Sequence, residues 1–547
     1  MAAPLPGWFK KAVIYQIYPQ SFYDSNNDGI GDLPGIISKL DYIASLGVNT
    51  LWLNPIFDSP FQDAGYDVRD YYKVAERYGT MEDLKNLFAE VHKRDMHILL
   101  DLVPGHTSME HRFFQEAVSD KPSEYDNYYM FTNGDDDDRR GYNFISGYGK
   151  RNGFYMINYY YCQPALNFGF LPPEEGCSWQ LPMDHPDVIK VREEIRNVMK
   201  FYLDMGCDGF RVDMAASLVR GKDRLEGVTA LWRDYTSYIR KNYPEAVLIS
   251  EWGYPKESLN AGFDADFMLS MAGLNVIDLR KGYRELVREE KYEGRSNRRK
   301  ADSPRSFFCK ESSGNTLNFN EELLMHIEAA GDSGMVSILT GNHDSQRIRR
   351  GKDIDDLKVA YTALFMLPGV PVLYYGDEIG MRNIVEVGNV EGSYYRGSAR
   401  TPMQWAPGEK VGFSTAPVED FYIMPDPDTN ERPDVQTQND DPESLLNYTR
   451  KLFALRHSNS ALDNCGKFRP VVYGKSDSPW LFERSDDNGN KFLIVLNPEA
   501  KSRKVTIPAQ GELESLINFN QISVVEKGAD SVTLELSPVS AAVFKWI

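Results

Sequence analysis

No stretch of the 547-residue chain reaches the run of about 18 apolar residues that a membrane-crossing helix needs. Met1 to Gln20 lacks a charged start followed by an apolar core and a small-residue cleavage site, so it does not read as an export signal, and a cytoplasmic location is expected. Cysteine is scarce. Cys162, Cys177, Cys207, Cys309 and Cys465 are odd in number and scattered, which excludes a disulfide framework and a zinc spacing. Basic charge is in the minority: 61 Lys and Arg stand against 80 Asp and Glu, a net charge of −19. A phosphate backbone needs a basic face, so neither nucleic acid nor membrane is an expected partner. The one basic stretch, Arg284 to Lys300, is interleaved with Glu285, Glu289, Glu290 and Glu293 and reads as a solvated insertion. Internal repeats are also missing.

What is present is the composition of a globular protein, 42% hydrophobic and 26% charged, in a chain too long for one ordinary domain. Short continuous apolar runs, the pattern of buried parallel strands, occur at Val13–Tyr18, Val48–Leu53, His97–Val103, Gly209–Val212, Ala246–Ser250, Phe263–Met268, Val336–Leu339 and Val370–Tyr375. Helical spacing falls between them. Ile36, Leu40 and Ile43 share one face; Val191, Ile195, Val198, Met199 and Tyr202 share another, in a helix starting near Pro186. Eight strands alternating with helices predict an α/β fold, a (β/α)₈ TIM barrel.

Two segments depart from that rhythm. Thr107 to Met183, rich in Gly, Tyr and Asp and carrying the run Asp135 to Asp138, is too long for a barrel loop and reads as an inserted domain. After a helix at Leu445–Arg456, short alternating strands follow at Trp480–Arg484, Phe492–Leu496, Lys504–Ile507, Val532–Leu536 and Ala541–Trp546, a C-terminal antiparallel β-domain. The expected domains are a barrel at 1–106 and 184–460, an insertion at 107–183 and a β-domain at 461–547. The acidic, Pro-rich stretch Pro425 to Asp441 reads as a surface loop.

Barrel enzymes carry their chemistry at the C-terminal strand ends. Here those ends read Asp101-Leu-Val-Pro-Gly-His106, Gly209-Phe-Arg211-Val-Asp213 and Ile249-Ser-Glu251-Trp252, with Asn342-His343-Asp344 after the seventh strand. Glycoside cleavage needs two carboxyl groups, about 5–5.5 Å apart when configuration is retained. Asp213 and Glu251 on neighbouring strands fit that role. Arg211, two residues before Asp213, faces the same side and would keep Asp213 ionised, whereas Glu251 needs a drier or more negative site. Asp344 and His343 suit sugar hydroxyls and positive charge on the ring.

Together with Gln163-Pro-Ala-Leu-Asn167, these segments resemble the α-amylase superfamily, glycoside hydrolase family 13, in order along nearly the whole chain. The resemblance implies Asp213 as nucleophile, Glu251 as acid/base and Asp344 as transition-state stabiliser, with His106, Arg211 and His343 lining the sugar subsite. Gly65-Tyr66-Asp67 resembles the platform under that sugar. Ala399-Arg400-Thr-Pro-Met-Gln-Trp405 is similar to a segment of exo-acting α-glucosidases, oligo-1,6-glucosidases and trehalose synthases. There the resemblance implies that Asp67 and Arg400 grip the terminal glucose; a structural ion pair is the other reading. Asp24, Asn26, Asp28, the Ile30 carbonyl and Asp32, with Gly29 at the turn, resemble a single-Ca²⁺ loop; an Asx-rich turn is the alternative.

Departures from the family pattern are Gly105, Ser217 and Ala165, where α-amylases carry Asn, His and an acid. The first two would remove their calcium site between barrel and insertion. Met214, next to the nucleophile, leaves linkage preference open.

The expected activity is that of a retaining α-glucoside hydrolase releasing glucose from the non-reducing end of short oligosaccharides. The alternative is a transferase or isomerase of the same family, trehalose synthase-like or sucrose isomerase-like. Arg347, Arg349 and Arg350 read as surface cations, with the shaping of an acceptor site as the other reading. A non-enzymatic relative is disfavoured by the three carboxylates, and a monomer or homodimer is expected.

Overall fold

Each of the eight apolar runs forms a strand. The protein, as a computed structural model, is described at residues 5–134, 138–269, 306–310, 316–384, 387–474 and 479–547. The stretch Arg284 to Lys300 and residues 135–137 of the acidic run lie outside the described residues. The strands are β1 (Ile14–Ile17), β2 (Thr50–Leu53), β3 (His97–Leu102), β4 (Gly209–Val212), β5 (Val247–Ser250), β6 (Ala265–Phe267), β7 (Met335–Leu339) and β8 (Val370–Tyr374). They close a barrel in the order β1-β8-β7-β6-β5-β4-β3-β2, every neighbour parallel. All their residues are buried except His97, which is why the runs carry no polar alternation.

Helices cover the barrel with the expected faces. Ile36, Leu40 and Ile43 are fully buried, but their helix is broken at Lys39 into Leu33–Ser38 and Leu40–Ser45. The long helix Pro186–Met205 buries Val191, Ile195, Val198, Met199 and Tyr202 and stops at left-handed Gly206. Among the described residues no helix is long and apolar enough to cross a membrane.

Between β3 and that helix, Phe131–Thr132, Phe154–Met156 and Phe144–Ile145 make a small antiparallel sheet over its own core, with Phe144 packed edge-on to Trp179. A bridge between His106 and Ala165 ties the insertion to the barrel mouth. The C-terminal domain is a five-stranded sheet facing a three-stranded one. Its strands at Lys467–Val472, Leu513–Phe519 and Ile522–Lys527 are not evident in the sequence. Each is a sheet edge, half exposed and correspondingly polar, which hides the alternation. The stretch Pro425 to Asp441 is only partly a surface loop: it holds the helix Val435–Asp440, and Asp426 is buried on Arg382.

Two buried arginines fasten the C-terminal domain to the barrel. Arg456 donates to the barrel carbonyls of Phe365, Leu367 and Gly369 and to Asn464 Oδ1 of the C-terminal domain, and Arg484 donates to the carbonyls of Met366, Asp463 and Gly466. Arg484→Ala strands several buried carbonyl oxygens at once. A loss of about 3 kcal/mol of stability is expected, read as a lower urea midpoint; an unchanged midpoint would show that water replaces the guanidinium at no cost.

Candidate active site

Strand register assembles the site. Asp101 on β3 is level with Arg211 on β4, so the two side chains meet, with Nη1 2.7 Å from Oδ1. One step past the strands the ladder continues, with the Asp213 amide on the Leu102 carbonyl and the Glu251 amide on the Val212 carbonyl. Asp213 and Glu251 therefore emerge side by side. Gly209 makes this close approach possible: at φ 144° a Cβ there would lie 2.0 Å from the Val247 carbonyl oxygen.

Arg211, 1% exposed, is the hub. Besides Asp101, its Nη1 lies 3.1 Å from Asp213 Oδ1, and its Nη2 lies 2.9 Å from Glu251 Oε2. Met214 takes a left-handed conformation (φ 45°, ψ 39°), unusual for a residue with a side chain, and this turns its amide onto Glu251 Oε2 at 3.0 Å.

A second cluster faces the first. Asp344 Oδ1 accepts from Arg396 (2.8 Å) and Arg400 (3.0 Å), and its Oδ2 is 3.2 Å from His343 Nε2. Gln16 and Asn54 both donate amide N–H to His343 Nδ1, which fixes the ring proton on Nε2. Nε2 lies 2.7 Å from the Tyr66 hydroxyl, which donates in turn to Asp101. His106 is set in the same way: Asn158 donates to Nδ1, and Nε2 reaches the Tyr66 carbonyl. Gly105 leaves the room for this, since a Cβ there would stand 2.9 Å from Asn158 Nδ2.

The charges are uneven. Burial, reinforced by Glu251, Asp101 and Asp344, pushes Asp213 well above the usual carboxylate range, and Arg211 only partly opposes this. Arg211 therefore does not hold Asp213 in the ordinary carboxylate range as expected, because three carboxylates share its one guanidinium. Burial raises Asp101 to about 6 against the pull of Arg211. Burial also works on Asp344, but the His343 N–H beside it and the guanidiniums of Arg396 and Arg400 outweigh it and hold that carboxyl well below its ordinary value. Burial keeps both histidines neutral, His106 falling to about 4 and His343 well below its usual value.

These groups line a pocket of about 330 Å³, within the range of small-ligand sites, whose walls include Asp63, Tyr66, His106, Asp213, Met214, Glu251, Trp252, Asp344 and Arg396. The expected pairing of Asp67 with Arg400 is not made. Asp67 is fully buried and turns into its own loop, where it accepts from Ser59 Oγ and the amides of Gln62 and Asp63. Arg400 binds the His343 carbonyl and Asp344. The pair at the pocket wall is Asp63 with Arg396, 2.7 Å apart, with Gln163 on the other Asp63 oxygen at 2.6 Å. Sequence reading missed both; their signals are three-residue spacing from Tyr66 and helical four-residue spacing from Arg400. Tyr66 lies parallel to the His343 ring, with centroids 5.2 Å apart. Arg347 is not a surface cation: it is 1% exposed and paired with Asp377 at 3.0 Å.

In the 24–32 loop, Asp24 accepts the amides of Asn26, Asn27 and Gly29, and Asp32 caps the next helix through the Gly35 amide. The donors are oxygens only, yet among the described residues no three acidic, histidine or cysteine side chains converge as a metal site.

A barrel with paired carboxylates at adjacent strand ends and a carbohydrate-sized pocket defines a glycoside hydrolase. The model for the alpha-amylase catalytic domain matches residues 16–465, and the chain belongs to that family. It is 31% identical to the oligo-1,6-glucosidase of Bacillus cereus, over 98% of this chain and 99% of that one. It is 33% identical to the trehalose synthase/amylase TreS of Mycolicibacterium smegmatis, over 85% and 78%. Among solved structures, the trehalulose synthase MutB of Pseudomonas mesoacidophila superposes with a TM-score of 0.78 at 26% identity, covering 99% of this chain and 100% of that one.

The electrostatics carry a signed consequence. Activity that needs the Asp213 anion is lost on the acid side at a higher pH than an ordinary carboxylate implies. Asp101→Asn removes one negative neighbour and frees Arg211, and both changes lower the Asp213 pKa. The acid limb of the kcat/KM profile is expected to move down by about one pH unit; a move upward would contradict the assignment of charges.

Proposed function

We propose that this protein is a retaining α-glucoside hydrolase that releases glucose from the non-reducing end of short α-gluco-oligosaccharides. The observation that carries the proposal is the single guanidinium of Arg211 holding Asp213 and Glu251 together on one pocket wall. Asp213 Oδ1 rests on Arg211, and among the described residues no donor is placed on Oδ2, which attacks the anomeric carbon. Glu251 keeps Oε2 on Arg211 and the Met214 amide and uses Oε1 to protonate the leaving oxygen. After the aglycone departs, the same carboxylate deprotonates water, which releases glucose with its configuration retained. Asp344, held anionic, takes sugar hydroxyls and stabilises the cationic ring. Asp63, Arg396 and Asp344 close one side of the pocket, which favours a chain end over a chain interior.

The trehalose synthase and trehalulose synthase relatives favour a second reading, in which a sugar hydroxyl rather than water reaches the glycosyl-enzyme. A timed product analysis on maltose, isomaltose, maltotriose, sucrose, trehalose and starch separates the two, with anomers read by NMR. Early α-glucose from disaccharides with starch untouched is the expected result. A new disaccharide with little glucose selects the transferase, and internal starch fragments refute the closed wall. Asp213→Asn is expected to lower turnover by several orders of magnitude in a folded protein, and near-normal turnover would remove Asp213 as nucleophile.

The proposal extends to one structural Ca²⁺ in the 24–32 loop, supported by its all-oxygen donor set of Asp24, Asn26, Asp28, the Ile30 carbonyl and Asp32. Chelation should then lower the melting temperature and added Ca²⁺ restore it; identical melting curves with chelator and with Ca²⁺ would rule the ion out. A cytoplasmic monomer or homodimer completes the proposal, supported by cysteines that are odd in number and scattered along the chain.

A further inference from the structure

Asp266 lies outside the pocket, yet its carboxylate gathers the backbone around Glu251. It sits on β6, in register with Ser250 of β5, and is fully buried. Oδ1 accepts from Ser250 Oγ at 2.8 Å, the Trp252 amide at 2.9 Å and the Gly253 amide at 3.3 Å; Oδ2 accepts from the Tyr254 amide at 2.8 Å. The four donors belong to the residue before Glu251 and the three after it. Three consecutive amides converging on one anion form a nest, and left-handed Gly253 (φ 75°) gives the chain the turn that such a nest requires.

The two ends of Glu251 are thereby held by different parts of the barrel. Its carboxyl group is fixed from β4, by Arg211 and the Met214 amide. Its main chain is fixed from β6, by Asp266. A loop that leaves a strand end carries amides with no ladder partner, and without an acceptor here they would draw in water or relax outward. Either change moves the Glu251 carboxyl relative to the leaving oxygen, and a displacement of about 1 Å costs about a hundredfold in rate. Trp252, which lines the pocket beside Glu251, is set by the same carboxylate.

We propose that Asp266 is a positioning residue for Glu251, one that fixes the strand end from which the acid/base projects. This rests on the α-glucosidase reading. Its signature is selective. A glycoside whose aglycone must be protonated on departure depends on the position of Glu251, whereas α-glucosyl fluoride loses its leaving group without a proton. kcat/KM reports the glycosylation step for both.

The experiment compares wild type and Asp266→Asn on maltose, isomaltose and α-glucosyl fluoride. The substitution keeps the volume and replaces one acceptor oxygen by an N–H donor. The expected result is a loss of about ten- to hundredfold in kcat/KM on the disaccharides with less than about threefold on the fluoride. Equal losses on both, in a variant with wild-type circular dichroism, would mean that Asp266 merely supports the fold and would overturn the proposal. Should Asp266→Asn fail to fold, Ser250→Ala removes one of the four donors and is expected to show the same selectivity at about threefold; a loss without selectivity there is equally fatal. A wild type inactive on all three substrates fails at a different point, because it removes the α-glucosidase reading itself.

Discussion

One buried cation organises this molecule. Arg211 sits at the mouth of a parallel barrel with almost no solvent access, and a guanidinium is tolerated there only if carboxylates surround it. Asp101, Asp213 and Glu251 do so from three adjacent strands. The requirement runs in both directions. Asp101 and Asp213 are buried and Glu251 half-buried against Arg211, and register along β3, β4 and β5 must hold to the residue for the four groups to meet. A shift of one residue would turn the charged side chains toward the surrounding helices. Fold and chemistry therefore share one constraint.

Much of this was legible in the sequence, for physical reasons. Buried parallel strands leave short uninterrupted apolar runs, so all eight barrel strands could be read, and charged residues that break such runs at their C-terminal ends stand out. Asp213, Glu251 and Arg211 stand out in that way, whereas Asp101 begins one of the same strand-end segments and gains a role only from the register that sets it beside Arg211. Polar edges were harder. Lys467–Val472, Leu513–Phe519 and Ile522–Lys527 bury only part of one face and have no apolar signature.

The pocket wall shows a different limit. Asp63 and Asp67 lie four residues apart in one loop, and nothing in the residue types says which carboxylate turns toward the sugar. The answer depends on backbone amides. The loop folds its own Gln62 and Asp63 N–H groups onto Asp67, which leaves Asp63 to meet Arg396. Arg347 departs from its expected surface position for a related reason. An arginine cluster looks like a solvated surface until the partner appears, and Asp377 comes from a later strand end.

The charge balance of the pocket follows from the same packing. Asp63, Asp101, Asp213, Glu251 and Asp344 face Arg211, Arg396 and Arg400, and both histidines are neutral. Carboxylates outnumber guanidiniums, so the pocket carries an excess of negative charge. Asp344, gripped by two arginines, is held well below its ordinary value, whereas Asp213, buried and crowded by like charges, is pushed above it. In the proposed first step Asp213 must be the anion, and the proton that passes to the leaving oxygen is the one Glu251 carries. Once it has passed to the leaving oxygen, the excess negative charge faces the positive charge growing on the sugar ring. The imbalance that raises the cost of burying these acids is therefore the same one that lowers the barrier to the cation.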